Sequence, residues 1–247
     1  MPRQSRRKSS TGIYHVMIRG INKQAIFSDD EDNKRFLQIL FDCKAICEFE
    51  LYGYCLMGNH VHILLKEVKE PLERIFKRIG SRYVLWYNRK YQRCGHLFQD
   101  RYKSEAVEND SYFSVVLRYI HQNPIKATMC KSLSEHEWSS YNEYFSESKL
   151  IDRELALGII GEVNFIKYMS ERKEDNCLEN IDLTTRILDK DLSRIIEDTF
   201  NTKPIMIQNE AKERVEYILR YTLRIKGVST RQLARVTGVP VNRIWKL

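Results

Sequence analysis

Apolar and polar residues alternate with two periods along the first half of the chain. Residues 13–18 (Ile-Tyr-His-Val-Met-Ile) form a β-rich run that stops at Arg19-Gly20. Residues 48–56 and 60–66 are two more such runs, split by the turn signal Met57-Gly58-Asn59. Between the first and second runs the period changes. Ser28, followed by Asp29, Asp30 and Glu31, places a cap and an acidic first turn, and Phe36, Leu37, Leu40, Phe41 and Cys47 make a buried helical stripe. Pro71 opens a second helix that runs to about residue 91. Residues 96–107 read as a fourth strand. A third helix begins at a cap, Asp110 or Ser111, spans 112–123 and ends at Pro124.

This order of β-α-β-β-α-β-α predicts an α+β class domain, a ferredoxin-like (RRM-like) antiparallel sheet with helices on one face. The run 60–66 is apolar on both faces apart from its histidines, which places it near the sheet centre, antiparallel to 48–56. The unit closes near residue 146. Residues 147–180 turn acidic and lose the strand signal, so short helices (152–160, 162–168) and a linker around 171–180 are expected. Residues 181–247 read as an all-α domain with amphipathic helices at 189–200 and 208–226. Its end, 230–247, has the spacing of a helix-turn-helix: small Ala234, turn-forming Gly238, apolar Ile244 and a cap at Ser229.

Charge adds a partner to this picture. The chain of 247 residues carries a net +8, which favours a polyanion and, among polyanions, nucleic acid. The cations concentrate: residues 74–103 hold nine basic side chains against one acid, Asp100, interleaved with Phe76, Tyr83, Trp86, Tyr87, Tyr91, Phe98 and Tyr102. Aromatics stack on bases and Arg/Lys track phosphates. Candidate DNA contacts are Arg19, Arg78, Arg82, Arg101 and Lys103, with Arg231 and Arg243 in the helix-turn-helix. No run of about 18 apolar residues predicts a membrane span. The basic segment 1–10 lacks the apolar core of a secretory signal and reads as an arm. Six cysteines without a CxxC pair suit a reduced compartment, so a cytoplasmic, nucleoid-associated protein is expected.

Two short stretches carry the candidate chemistry. In Gly58-Asn59-His60-Val61-His62, strand alternation points both histidines to one face, with Cα atoms roughly 6.5–7 Å apart, close enough to converge on a metal ion or a phosphate. In Tyr119-Ile120-His121-Gln122-Asn123-Pro124, Tyr119 and Asn123 share a helix face. A tyrosine can serve as a covalent nucleophile when a nearby cation activates it, and an amide oxygen can ligate a metal. If this helix packs beside the histidine strand, His60, His62 and Asn123 form a ligand set with Tyr119 above it. His121 and Gln122 are alternative ligands, off the Tyr119 face by spacing. His15 either lines the same site or packs, and Asn59 adjoins it.

Together with Tyr14-His15-Val16, Arg19-Gly20, Gln99-Asp100-Arg101-Tyr102-Lys103 and Trp138-Ser139-Ser140-Tyr141, these stretches resemble the single-tyrosine HUH transposases (IS200-like), specifically the REP-associated tyrosine transposase branch. The resemblance covers about residues 1–145. It implies a metal-dependent single-strand DNA endonuclease and strand transferase acting on hairpin or palindromic repeat DNA. His60, His62 and Asn123 would be the metal ligands for Mg²⁺ or Mn²⁺, and Tyr119 would form a 5′-phosphotyrosine. Related proteins work as monomers or homodimers. The alternative function is a sequence-specific DNA-binding regulator that does not cleave. An RNA-binding reading is weaker, because the RNP aromatic pattern is missing.

Overall fold

Four strands make one antiparallel sheet in the order β2-β3-β1-β4: β1 Ile13–Arg19, β2 Glu50–Met57, β3 His60–Lys66 and β4 Lys103–Ala106. The computed structural model describes residues 7–173, 175, 177–178, 189–225 and 227–246, so the first six residues of the basic arm and much of the linker expected at 171–180 lie outside the described residues. The α+β class and the central place of β3 agree with the sequence pattern. The strand expected at 96–107 shrinks to its last third. Residues 97–99 follow β1 only through single contacts, Ile21 N to Leu97 O and Gln99 N to Arg19 O, both 2.9 Å, after Gly95 turns the chain at φ +91°.

Helices α1 (Asp30–Cys47) and α2 (Leu72–Lys90) pack on each other. Their buried stripes, including Phe36, Leu40, Ile75, Ile79 and Tyr83, join the core that contains Val16, Ile18, Val61 and Ile63, the sheet face opposite the histidines. The α1 cap is Asp29 rather than Ser28. Asp29 accepts from Asp32 N, and Asp32 accepts back from the Asp29 and Ser28 amides, a reciprocal pairing that Ser28 lacks an acid three residues on to make.

Helix α3, Asp110–Lys126, is longer at both ends than the pattern predicts. Asn109 takes the cap, accepting from Tyr112 N at 2.8 Å. Pro124 does not stop the helix. Its ring removes one donor, but Ala127 N still reaches Asn123 O at 2.9 Å, so the last turn closes around it.

The first compact unit runs to Leu178, well past the expected boundary at 146, and the second spans Glu179–Leu247. The physical reason lies in the apolar residues beyond 146. Ile151, Ala156, Phe165, Met169 and Cys177 are buried in the same core as the sheet, carried in part by α4 (Glu154–Ile160) and α5 (Phe165–Ser170). In the second unit, α6 (Asp189–Phe200), α7 (Lys212–Leu223), α8 (Thr230–Thr237) and α9 (Val241–Ile244) bury Leu192, Ile196, Val215, Ile218, Leu219, Leu233 and Ile244 together. Ser229 caps α8 by accepting from Gln232 N at 3.1 Å, and Gly238 ends it in the left-handed region at φ +74°.

Candidate active site

The histidine face is set by sheet register. Paired residues of antiparallel strands share a face, so Met17 and Cys55 flank His62, Arg19 and Met57 flank His60, and His15 stands beside Leu64 and Glu105. His60 and His62 are both buried, their ring centroids 5.0 Å apart and nearly perpendicular. Helix α3 lies on this face. The Tyr119 ring is edge-on to His62 at 5.6 Å and to His15 at 5.8 Å. The helix can come this close partly because of Gly53 on β2. A Cβ there would meet Leu117 Cδ1 at 2.6 Å, so only glycine leaves room for the helix.

The buried turn 118–123 divides its side chains among three directions. His121 turns away from the histidine pair, its Nε2 2.8 Å from Ser140 Oγ, and burial pushes its pKa down to about 3. Ser140 also accepts from Tyr54 N, and Leu56 N donates to Trp138 O, so the Trp138-Ser139-Ser140-Tyr141 stretch extends the β2 edge and buttresses α3. Arg118 and Gln122 point to the segment after α5. Arg118 forms a two-pronged pair with Asp175 (3.0 and 2.9 Å) and lies 4.4 Å over the Tyr168 ring, while Gln122 Nε2 donates to the carbonyls of Met169 and Glu171. His121 and Gln122 are thus both engaged in structural bonds, which removes them as alternative ligands. Asn123 stays on the Tyr119 turn, its Nδ2 donating to Tyr119 O at 3.1 Å. That bond commits the amide nitrogen to the helix and leaves Oδ1 as the outward atom.

The donor chemistry suits a divalent metal. Asn59 Oδ1 lies 2.6 Å from His60 Nδ1. An amide oxygen only accepts, so His60 Nδ1 carries the proton and Nε2 carries the lone pair. His62 Nδ1 is likewise engaged, 2.9 Å from His15 Nε2. Among the described residues no group of three or more His, Cys, Asp or Glu could hold a metal, so the ligand set rests on two imidazoles and an amide oxygen.

Two residues near the site escape the sequence reading. Lys126 holds its Nζ 4.9 Å from the centre of the Tyr119 ring, the cation a nucleophilic tyrosine calls for. It lies seven residues on, two helical turns along the same face, a spacing that could have been read. Glu105 approaches His15 from β4, its Oε2 3.8 Å from His15 Nδ1, and this depends on β4 pairing with β1, which no local pattern declares.

The candidate DNA contacts separate. Arg19 and Lys103 sit on the histidine face by register, opposite His60 and Met17, and Arg101 is exposed in the bend before β4. Arg78 is held by Glu70 at 3.0 and 3.1 Å, and Arg82 leans on Cys43 of α1 at 3.9 Å, so both line the α1–α2 seam away from the histidines. Arg231 and Arg243 lie in the second unit, in α8 and α9.

Residues 8–123, which hold both histidines, the tyrosine and the asparagine, match the family profile described as Transposase IS200 like. Through this domain the chain belongs to the IS200-like transposase family. It is an enzyme of the HUH tyrosine-transposase type, a family that generally uses a divalent metal. The IS200-like fold agrees with a solved REP-associated tyrosine transposase bound to a REP hairpin: TM-score 0.51 at 14% identity, over 63% of this chain and 96% of that one. A structure assigned as a transposase from Deinococcus radiodurans R1 aligns at TM-score 0.35 and 17% identity, over 46% of this chain and 92% of that one. No curated protein matches the chain. Among the described residues no helix is long and apolar enough to cross a membrane.

Proposed function

We propose that this transposase belongs to the REP-associated tyrosine branch and cuts and rejoins single-stranded DNA beside a hairpin, with Tyr119 as nucleophile. The observation that carries this reading is the seating of the Tyr119 ring 5.6 Å from His62 on the face that also holds His60. A helix that merely covered the sheet would be expected to present apolar side chains there, not a tyrosine against a histidine pair.

Tyr119 Oη attacks the scissile phosphorus. The bond to the 3′-oxygen breaks, that oxygen leaves with the electron pair and takes up a proton, and the phenolic proton passes to solvent. The products are a 5′-phosphotyrosine and a free 3′-OH. Because the new bond is again a phosphodiester, a second 3′-OH can reverse the step on another strand without added energy. Lys126, over the ring at 4.9 Å, favours negative charge on the phenol. His60, His62 and Asn123 would hold Mg²⁺ or Mn²⁺, and the bound ion polarises the phosphate and offsets charge in the transition state. Arg19, Arg101 and Lys103 ring the histidine face and suit the phosphates of the entering strand. The α8–α9 pair would supply a further DNA contact through Arg231 and Arg243.

The test is strand cleavage. The protein is incubated with a DNA hairpin carrying a single-stranded flank, with Mn²⁺ or Mg²⁺, and run on a denaturing gel. A protein–DNA adduct that disappears in Tyr119→Phe and in His60→Ala/His62→Ala is expected. An adduct that persists in Tyr119→Phe overturns the assignment, and binding without cleavage under either metal favours the regulator.

A further inference from the structure

We propose that Glu105 and His15 are positioning residues for His62, a cross-strand relay that fixes which His62 nitrogen faces the catalytic side. The inference rests on the reading of His60 and His62 as metal ligands, but it concerns groups outside that set.

The sheet builds the relay. β1 lies between β3 and β4, with His15 paired to Glu105 on one side and, one step diagonally, near His62 on the other. His15 is fully buried on the face shared by all three side chains. Its Nδ1 stands 3.8 Å from Glu105 Oε2 and its Nε2 stands 2.9 Å from His62 Nδ1. The Tyr119 ring closes over His15 and His62 at 5.8 and 5.6 Å, so nothing here is remote from the nucleophile.

Proton bookkeeping then follows from donor and acceptor rules. A carboxylate only accepts, so a neutral His15 keeps its proton on Nδ1, facing Glu105. Its Nε2 then holds the lone pair and must accept. His62 must therefore donate from Nδ1, which leaves the His62 lone pair on Nε2. That is the same tautomer Asn59 imposes on His60 through the 2.6 Å contact to Nδ1. Two imidazoles two residues apart thus present the same nitrogen, each set by a partner of different chemistry. Partners that orient a ligating histidine change metal affinity roughly 10–100-fold when removed. The Glu105 carboxyl fits its part. Burial pushes its pKa up, but hydrogen bonding from His15 and from Tyr112 outweighs this and holds it below the ordinary value.

A bland alternative is that His15 only fills space between two strands. Two measurements on the full chain separate the readings. Long-range ¹H–¹⁵N NMR of the metal-free protein reads the tautomers directly. The relay predicts Nδ1–H on His62, lost in Glu105→Leu and retained in Glu105→Gln, whose amide oxygen still accepts. Manganese affinity, followed by EPR of free Mn²⁺, is expected to weaken roughly 10–100-fold in His15→Phe and Glu105→Leu and to recover in Glu105→Gln. Nε2–H on wild-type His62, or wild-type Mn²⁺ affinity in folded His15→Phe, overturns the relay. If wild-type Mn²⁺ binding is unchanged in His60→Ala/His62→Ala, the metal-ligand reading has failed instead, and the NMR result still decides the relay because it needs no metal.

Discussion

Asp175→Asn is a sharp perturbation of the device that holds the nucleophile in place. Arg118 is the neighbour of Tyr119 on α3, and its side chain is only 2% exposed. Asp175 gives it two bonds at 3.0 and 2.9 Å. Removing one partner of a buried pair costs about 3–5 kcal/mol, because the other charge is left in a medium of low dielectric. Two features offset part of this: Glu171 lies 3.6 Å from Nη1, and the Tyr168 ring lies 4.4 Å below the guanidinium. The net expectation is a loss of about 3 kcal/mol. For a unit of this size that lowers its Tm by about 6–12 °C. Calorimetry on the full chain reads the shift in the transition of the first unit. The double variant Arg118→Met/Asp175→Leu removes both charges and is expected to recover most of the loss, since apolar groups of similar volume often replace buried pairs without penalty. A Tm change under 2 °C in Asp175→Asn would refute the idea that this pair clamps α3.

Three other changes have defined outcomes. Gly53→Ala drives a Cβ to 2.6 Å from Leu117 Cδ1, and a loss of about 1–3 kcal/mol is expected in urea unfolding, with slower adduct formation as α3 is pushed outward. Lys126→Met removes the cation 4.9 Å from the Tyr119 ring, and the rate of adduct formation is expected to fall roughly tenfold, measured under single-turnover conditions. His121 has its pKa pushed down to about 3 by burial, so the unfolded chain binds its proton at higher pH than the folded one. The stability this histidine confers is full above its ordinary pKa near 6.5 and falls as the pH drops from there towards 3, by about 1.4 kcal/mol per unit. His121→Asn should flatten that acid limb of the stability curve, and an unchanged slope would show that His121 does not set it.

Much of the site was legible because it is local. His60 and His62 share a face by alternation alone, and Tyr119 and Asn123 share one by helical spacing. The sheet class followed from the order of runs. What escaped depends on partners distant in sequence. Glu105 reaches His15 only because β4 pairs with β1, and the segment 147–178 belongs to the first unit because its scattered apolar residues find the sheet core. Arg118 looked like one more surface cation, yet it is buried against Asp175, 57 residues away. Arg78 and Arg82 belonged to a basic run that suggested DNA, while pairing with Glu70 and packing on Cys43 keep them on the α1–α2 seam. Pro124 misled because proline usually ends a helix, and here the final turn needs only one amide fewer.

The most direct measurement is the mass of the covalent intermediate. The protein is reacted with a hairpin oligonucleotide and Mn²⁺, digested with nuclease and trypsin, and the modified peptide is sequenced by mass spectrometry. A 5′-phosphonucleotide on the oxygen of Tyr119 is the predicted result. A nucleotide on any other residue, or cleavage with no covalent intermediate, contradicts Tyr119 as the nucleophile.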